Sequence, residues 1–365
     1  MYIKFVDFTA EYHYLKQEID EAYFRVMESG HYILGDEVKS FEREFARRMD
    51  AKFCVGTGNG LDALHLGLLA LGIGKGDEVI VPANTYIATW NAVNFVGGIP
   101  IPVEPDEETY NIDPKLIEES ISEKTRAILP VHLYGQPADM KPIMEIAEKY
   151  GLKVLDDAAQ AHGAEYCGKR IGSLVDATAF SFYPTKNIGA IGDAGAVTNN
   201  NEYVTAELKK LRNYGEFEKY VNDIVGFNSR LDELQAAFLR IKLKRLDEII
   251  KKKTEIAKKY LALIENPSIT LPFVLVNTKP VWHQFVIRTK YRDKLKKYLS
   301  NNGIETLIHY PTPPYLQAAY KYLNHDPKKF PITNRLSNEV LSLPIDWLLN
   351  EESLDYIIEK LNDWR

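Results

Sequence analysis

Two acids and one lysine at the ends of short apolar runs have the types and spacing to do chemistry. Leu155-Asp156-Asp157-Ala158-Ala159-Gln160 closes one run, and Ser181-Phe182-Tyr183-Pro184-Thr185-Lys186 follows another. A carboxylate ending a buried strand is costly unless a cation or a hydrogen-bond donor meets it. A lysine in the same setting is partly desolvated, which lowers its pKa and frees a neutral amine able to attack a carbonyl. The plainer readings stay open at this point: a helix cap followed by a solvated acid, and a surface lysine.

Two glycine-containing segments accompany them. Gly58-Asn59-Gly60 lies between an apolar run and an amphipathic period, so the amides of Gly60, Leu61 and Asp62 would open a helix. A helix N-terminus offers unpaired N–H groups and partial positive charge, which suit a phosphate. The turn lacks the Gly-Lys-Ser/Thr ending of a nucleotide-hydrolysing loop and the spacing of a dinucleotide fingerprint, and alone it is equally a tight turn. Gly226-Phe227-Asn228-Ser229-Arg230-Leu231-Asp232 precedes a long charged stretch and by itself reads as a helix cap. A carboxylate set against a cationic ring nitrogen is what pyridoxal phosphate (PLP) requires. It keeps the pyridine protonated, and the charged ring withdraws electrons from the reacting carbon.

The elements that must position these residues are legible as a rhythm. Lys52–Val55, Glu78–Val81, Ile99–Val103, Ala127–Val131, Lys153–Leu155, Ala177–Phe182 and Ala196–Thr198 have the character of short buried strands. Helical periods separate several of them. Leu61, Leu64, Leu68 and Leu71 share one face, and Asp113–Ile121 and Met140–Tyr150 are read as further helices. This alternation predicts an α/β fold with a mostly parallel sheet covered by helices on both faces. Leu231–Ile264 reads as one or two helices leading out of that unit. Trp282–Arg288 and a final helix suggest a smaller α/β domain. The expected division is 1–245, including an N-terminal helical segment, and 246–365.

Composition narrows the class of protein. With 45 Lys and Arg against 51 Asp and Glu, the net charge of −6 argues against a nucleic-acid binder. The basic cluster Lys251–Lys253 falls in the charged helical stretch and is better read as a solvated face. The two cysteines, Cys54 and Cys167, have neither disulfide-framework nor zinc-type spacing and are read as free thiols in a reducing cytoplasm. The first residues lack a basic region followed by an apolar run, and no apolar stretch approaches the length of a membrane span.

The four motifs, in this order, resemble the DegT family of sugar aminotransferases, which adopt the fold-type I PLP architecture. The resemblance runs from His31-Tyr32-Ile33-Leu34-Gly35 to His309-Tyr310-Pro311. It implies that Lys186 holds the cofactor as a Schiff base and later shuttles the proton, and that Asp157 pairs with the pyridinium nitrogen. It further implies that Gln160 bonds the ring hydroxyl, Tyr86 stacks on the ring, and Ser181 with the Gly60, Leu61 and Asp62 amides holds the phosphate. The family shares its sites across a homodimer, so Asn228 would reach the partner's phosphate. Two departures matter. Leu61 stands where many relatives have a hydroxyl residue, and Tyr183 stands where many C4 aminotransferases have histidine. The set is more similar to the branch that aminates C3 of a dTDP-linked 3-keto-6-deoxyhexose, with glutamate as donor.

Other residues carry weaker expectations. His309 and Tyr310, in a proline-rich loop, would meet the sugar, against ordinary loop packing. Lys219, beside Tyr220, would meet the pyrophosphate, against a plain surface position. His65, His132 and His162 are read as structural. Three further activities compete. C4 amination differs by one ring position. A PLP-dependent sugar dehydratase is disfavoured by Lys186, since such relatives carry histidine there. A catalytically silent regulatory member is disfavoured by the intact Asp157, Gln160 and Lys186 set.

Overall fold

Strands form where apolar and β-branched residues run for four or five positions. The structure, a computed structural model describing residues 1–365, gathers seven of them into one sheet. They are β1 (Phe53–Thr57), β2 (Glu78–Pro82), β3 (Ile99–Val103), β4 (Thr125–Ile128), β5 (Lys153–Asp157), β6 (Ala177–Ser181) and β7 (Gly195–Asn199). Their spatial order is β1-β7-β6-β5-β4-β2-β3. β3, β2, β4, β5 and β6 are parallel neighbours, and β7 runs antiparallel to β6 and β1.

Both faces of the sheet are apolar because successive side chains point to opposite sides. Val79 and Val81 enter one core while Ile80 enters the other, and Ala179 and Phe180 divide likewise. One face is covered by α2 (Asp36–Arg48), α5 (Met140–Tyr150) and α7 (Glu233–Lys244), through Phe41, Phe45, Ile143 and Leu239. The other is covered by α3 (Gly60–Ala70), α4 (Ile87–Phe95) and α6 (Glu202–Leu211), through Leu64, Leu68, Trp90 and Leu208. The long N-terminal helix α1 (Phe8–Ser29) packs Leu15, Ala22 and Val26 against Ala237 and Ile241 of α7.

The smaller unit has its own core. The charged stretch resolves into α7 and α8 (Leu246–Leu263), and α8 joins the two cores: Leu246 packs in the large one, Ile256 and Tyr260 in the small one. The small core also takes α9 (Arg292–Asn301), the final helix Glu351–Asp363, and the antiparallel pair β8 (Phe285–Arg288) and β9 (Val340–Leu343).

Two segments cross the expected division at 245/246. Ile3 bridges to Ile304 and is buried in the small core. Tyr315, Tyr320 and Phe330 return to the large core, where the Tyr320 ring meets Trp90 edge-on at 5.2 Å. A second difference lies in Asp113–Ile121, which forms two short 3-10 turns, Pro114–Leu116 and Glu118–Ser120, instead of one α-helix. The Asp113 carboxylate accepts the Lys115 N–H and caps the first turn tightly. No helix is long and apolar enough to cross a membrane.

Candidate active site

In an open parallel sheet the ligand crevice lies beyond the carboxyl ends of the strands. Here β1 runs into Gly58-Asn59-Gly60, β5 ends on Asp157, and β6 ends on Ser181. These ends surround a cavity of about 610 Å³, into which Lys186, Tyr86, Gln160 and the His309-Tyr310 loop also face.

The end expected to take a phosphate is built by close approach. A Cβ on Gly60 would lie 2.4 Å from Cβ of Ser181, so only glycine lets the start of α3 sit against the end of β6. The Asn59 side chain caps α3 by accepting the Asp62 N–H at 2.8 Å. That contact corrects one expectation. The Asp62 amide is engaged and Asp62 does not line the cavity, which leaves the Gly60 and Leu61 amides with Ser181. The Asp62 carboxylate instead accepts the Ser229 hydroxyl at 2.7 Å, and that hydroxyl accepts the Gly58 N–H at 3.0 Å. The loop carrying Asn228 is thereby fastened to the turn.

The two acids of β5 separate by strand alternation. Asp156 is fully buried on one side, with Oδ2 3.3 Å from Nε2 of His132. Nδ1 of His132 accepts the Ala138 N–H at 3.0 Å, while Nε2 and the two Asp156 oxygens make no hydrogen bond within the protein. Asp157 lines the cavity. Its Oδ2 accepts the Thr89 hydroxyl at 2.8 Å and its Oδ1 accepts the Ala159 N–H at 3.2 Å. Its backbone is bracketed by the His132 N–H at 3.0 Å and the Pro130 carbonyl at 2.9 Å. Burial holds the Asp157 carboxyl above its usual range, with the Thr89 and Ala159 bonds and the Lys186 charge opposing it. A buried carboxylate in this state gains most from a cationic N–H, as a pyridinium supplies.

Burial also brings the Lys186 ammonium down to about 8, with Asp157 pulling the other way. Gln160 accepts the Tyr134 N–H at 2.5 Å and donates from Nε2 to the Tyr310 hydroxyl at 3.2 Å, so its amide group faces the cavity. The Tyr86 ring is half exposed and 5.2 Å from that of Tyr310, which frees one face for a planar ring. Nδ1 of His309 is 2.7 Å from Oγ of Ser342, and burial takes the imidazole down to about 4, so it is neutral at pH 7.

Of the remaining expected residues, Tyr183 lines the cavity, while Asn228 and Lys219 are not drawn into it by their own chain. Tyr183 sits half exposed on the rim. Asn228 is exposed on its loop, and Lys219 is exposed on the hairpin Glu216–Asn222, its ammonium over the Tyr220 ring. His162 is buried between Phe180 and Phe182, and His65 packs on Phe95 and Phe227. Sequence reasoning missed Thr89, which bonds Asp157 without lining the cavity, and His283 and Gln284, which line it. Thr89 carries no signal in an apolar helix. His283 and Gln284 stand just before β8 and differ from its apolar run, which is the only mark they leave.

Together the fold and the site fit an enzyme that would hold a carbonyl cofactor at a lysine. The chain belongs to the DegT/DnrJ/EryC1/StrS aminotransferase family, whose model matches residues 13–362. It is 52% identical over 347 residues, covering 95% of each chain, to the dTDP-3-amino-3,6-dideoxy-alpha-D-galactopyranose transaminase of Aneurinibacillus thermoaerophilus. It is 48% identical over 362 residues, 99% of each chain, to the erythromycin biosynthesis sensory transduction protein EryC1 of Saccharopolyspora erythraea. The crystal structure of Streptomyces venezuelae DesV in complex with a ketimine intermediate superimposes with a TM-score of 0.98 at 46% identity, covering 100% of this chain and 98% of that one. The protein is an aminotransferase, and its cofactor is PLP. The Gly60–Ser181 cradle, the Asp157 carboxylate and the desolvated Lys186 amine match its phosphate, ring nitrogen and aldehyde in turn.

Proposed function

We propose that the protein moves an amino group from glutamate to C3 of a dTDP-linked 3-keto-6-deoxyhexose, giving a dTDP-3-amino-3,6-dideoxyhexose. The observation that carries this reading is the 52% identity, across 95% of both chains, with a transaminase named for a dTDP-3-amino-3,6-dideoxyhexose. Tyr183 at the cavity rim, where C4 enzymes commonly have histidine, supports C3 over C4.

When bound, the cofactor supplies a carbonyl that exchanges with amines and an electron sink for the carbanion. The protein's residues do the rest. The neutral Lys186 amine takes and returns the proton at the reacting carbon, a task suited to a group brought down to about 8. Asp157 keeps the ring nitrogen protonated, and Thr89 with Ala159 N–H fixes its direction. Gln160 orients the ring hydroxyl, Tyr86 covers the ring, and the Gly60 and Leu61 amides with Ser181 hold the phosphate. His309 and Tyr310 bind the sugar as neutral donors.

The working unit in this reading is a homodimer. Asn228 and Lys219, exposed in one chain, reach the partner's phosphate and the sugar nucleotide's pyrophosphate. The free cysteines, Cys54 and Cys167, fit a reducing cytoplasm. A regulatory role has the 48% relative named for sensory transduction in its favour. The lysine, carboxylate and cradle of a working site count against it. A single-turnover titration separates the two. Glutamate should shift the holoenzyme's visible absorbance, and the 3-keto sugar nucleotide should restore it. A protein that binds the sugar without either change would be regulatory.

A further inference from the structure

A second, smaller chamber adjoins the cavity. It holds about 70 Å³, room for a few water molecules. Thr185, Lys186, His283, Gln284 and His309 line both spaces, so the chamber lies directly beside the main cavity at Lys186.

Its wall carries polar groups that the protein leaves unsatisfied. Gln284 is 6% exposed and its side-chain amide makes no hydrogen bond within the protein, so its Nε2 is free to donate while its Oε1 is an unpaired acceptor. His283 is also 6% exposed, with Nδ1 unpartnered. Lys253, 6% exposed, reaches only the His283 carbonyl, at 3.5 Å. A buried ammonium or amide without partners is costly, and such groups persist where a ligand completes them. Two carboxylates share the chamber, but both are engaged. Glu11 is 2.6 Å from Lys242, and Asp346 accepts the Asp7 and Leu348 N–H groups at 2.8 and 2.9 Å. No arginine lines either space.

The donor's needs match this wall. Its amine must come to the cofactor beside Lys186, and its α-carboxylate is attached to the same carbon. An anion within one bond of the reacting carbon needs donors or a cation next to Lys186. We propose that the chamber is the donor's α-carboxylate subsite: Lys253 provides the charge, and Gln284 and His283 provide hydrogen bonds. Burial brings Lys253 down to about 8 against the opposing pull of Asp346 and Glu11, and a bound carboxylate would add to that pull and favour the charged form. The sugar, too large for the chamber, stays in the main cavity. The inference rests on the transaminase reading and adds the element that admits an amino acid.

The test uses the PLP-loaded protein with Lys253→Met and Gln284→Leu, which keep size and remove polarity. Calorimetry with glutarate, a dicarboxylate that cannot react, should show each variant binding about tenfold or more weakly, as expected for loss of a bond to a charged group. The half-saturation for glutamate should rise equally, while the KM for the sugar nucleotide and the cofactor's absorbance stay put. Substrate variants assign the carboxylate. The Lys253→Met penalty should persist with glutamine, whose side-chain carboxylate is masked, and vanish with isoglutamine, whose α-carboxylate is masked. Unchanged glutarate binding in both variants would overturn the subsite, as would a penalty that vanishes with glutamine instead. Failure of the transaminase reading looks different: the wild type itself would not respond to glutamate.

Discussion

The Thr89 hydroxyl donates a 2.8 Å hydrogen bond to Oδ2 of Asp157, tying the carboxylate at the end of β5 to helix α4. With the Ala159 N–H on the other oxygen, the carboxylate has one orientation. Thr89→Val keeps the shape of the side chain and removes the donor. A bond of this kind is worth about 1–2 kcal/mol. Titration of the apoenzyme should therefore give a PLP dissociation constant raised by roughly five- to thirtyfold. An unchanged constant would mean that Thr89 plays no part in holding Asp157.

The two adjacent acids should fail differently. Asp157→Asn cannot keep a ring nitrogen protonated, so it should fold normally, retain some cofactor and lose most activity. Asp156→Asn should disturb the buried contact with His132 and lower the melting temperature, with less effect on the chemistry per folded molecule. Thermal unfolding and kcat measured on both variants decide the matter. A more damaging catalytic loss in Asp156→Asn would put the strand end out by one residue.

Gly60→Ala should disrupt the phosphate cradle. The new methyl would meet Cβ of Ser181 at 2.4 Å, with backbone close behind. Overpacking of this kind costs about 1–3 kcal/mol. The expected result is weaker cofactor binding together with a lower melting temperature, read by fluorescence and calorimetry. Gly72→Ala is the control for the substitution itself, because a Cβ there meets nothing within 4 Å, although its φ of +81° still imposes strain. Equal cofactor affinity in the two variants would remove the cradle from the account.

Lys186 sets a pH dependence. Its folded pKa lies near 8, below the ordinary 10.5, because burial disfavours the charged amine. The neutral, reactive fraction therefore grows as pH rises toward 8 and levels off above it. Stopped-flow capture of PLP by the apoenzyme should accelerate up to about pH 8 and then flatten. Lys186→Ala should abolish turnover without unfolding the chain, and borohydride reduction of the wild type should leave the cofactor on the peptide containing Lys186. A rate still climbing at pH 10, or label on another lysine, would contradict the assignment.

Much of the site was legible because strand ends announce themselves. Asp157, Ser181 and Gly60 follow short apolar runs, and the parallel sheet brings such ends to one edge. What stayed hidden depends on packing between distant segments. Thr89 lies 68 residues from Asp157 on an apolar helix, so nothing in its neighbourhood marks it. Asp62 looked like a phosphate donor until the Asn59 cap took its amide. The 245/246 division missed Ile3, whose partner Ile304 is far away in sequence, and Tyr315–Phe330, which fold back on Trp90. Asp113–Ile121 has helix-forming residues, yet local capping by Asp113 favours two tight turns.

The most direct test of the central claim is product analysis with isomeric sugars. The purified enzyme, loaded with PLP and supplied with glutamate, is given the dTDP-linked 3-keto-6-deoxyhexose or its 4-keto isomer, and the position of any new nitrogen is found by mass spectrometry and NMR. Moving the carbonyl by one ring position shifts it by more than ~1 Å from the near-attack geometry, enough to cost a large factor in rate. The account predicts rapid amination at C3 and poor turnover of the 4-keto sugar. Efficient amination of the 4-keto isomer with none of the 3-keto sugar would contradict it.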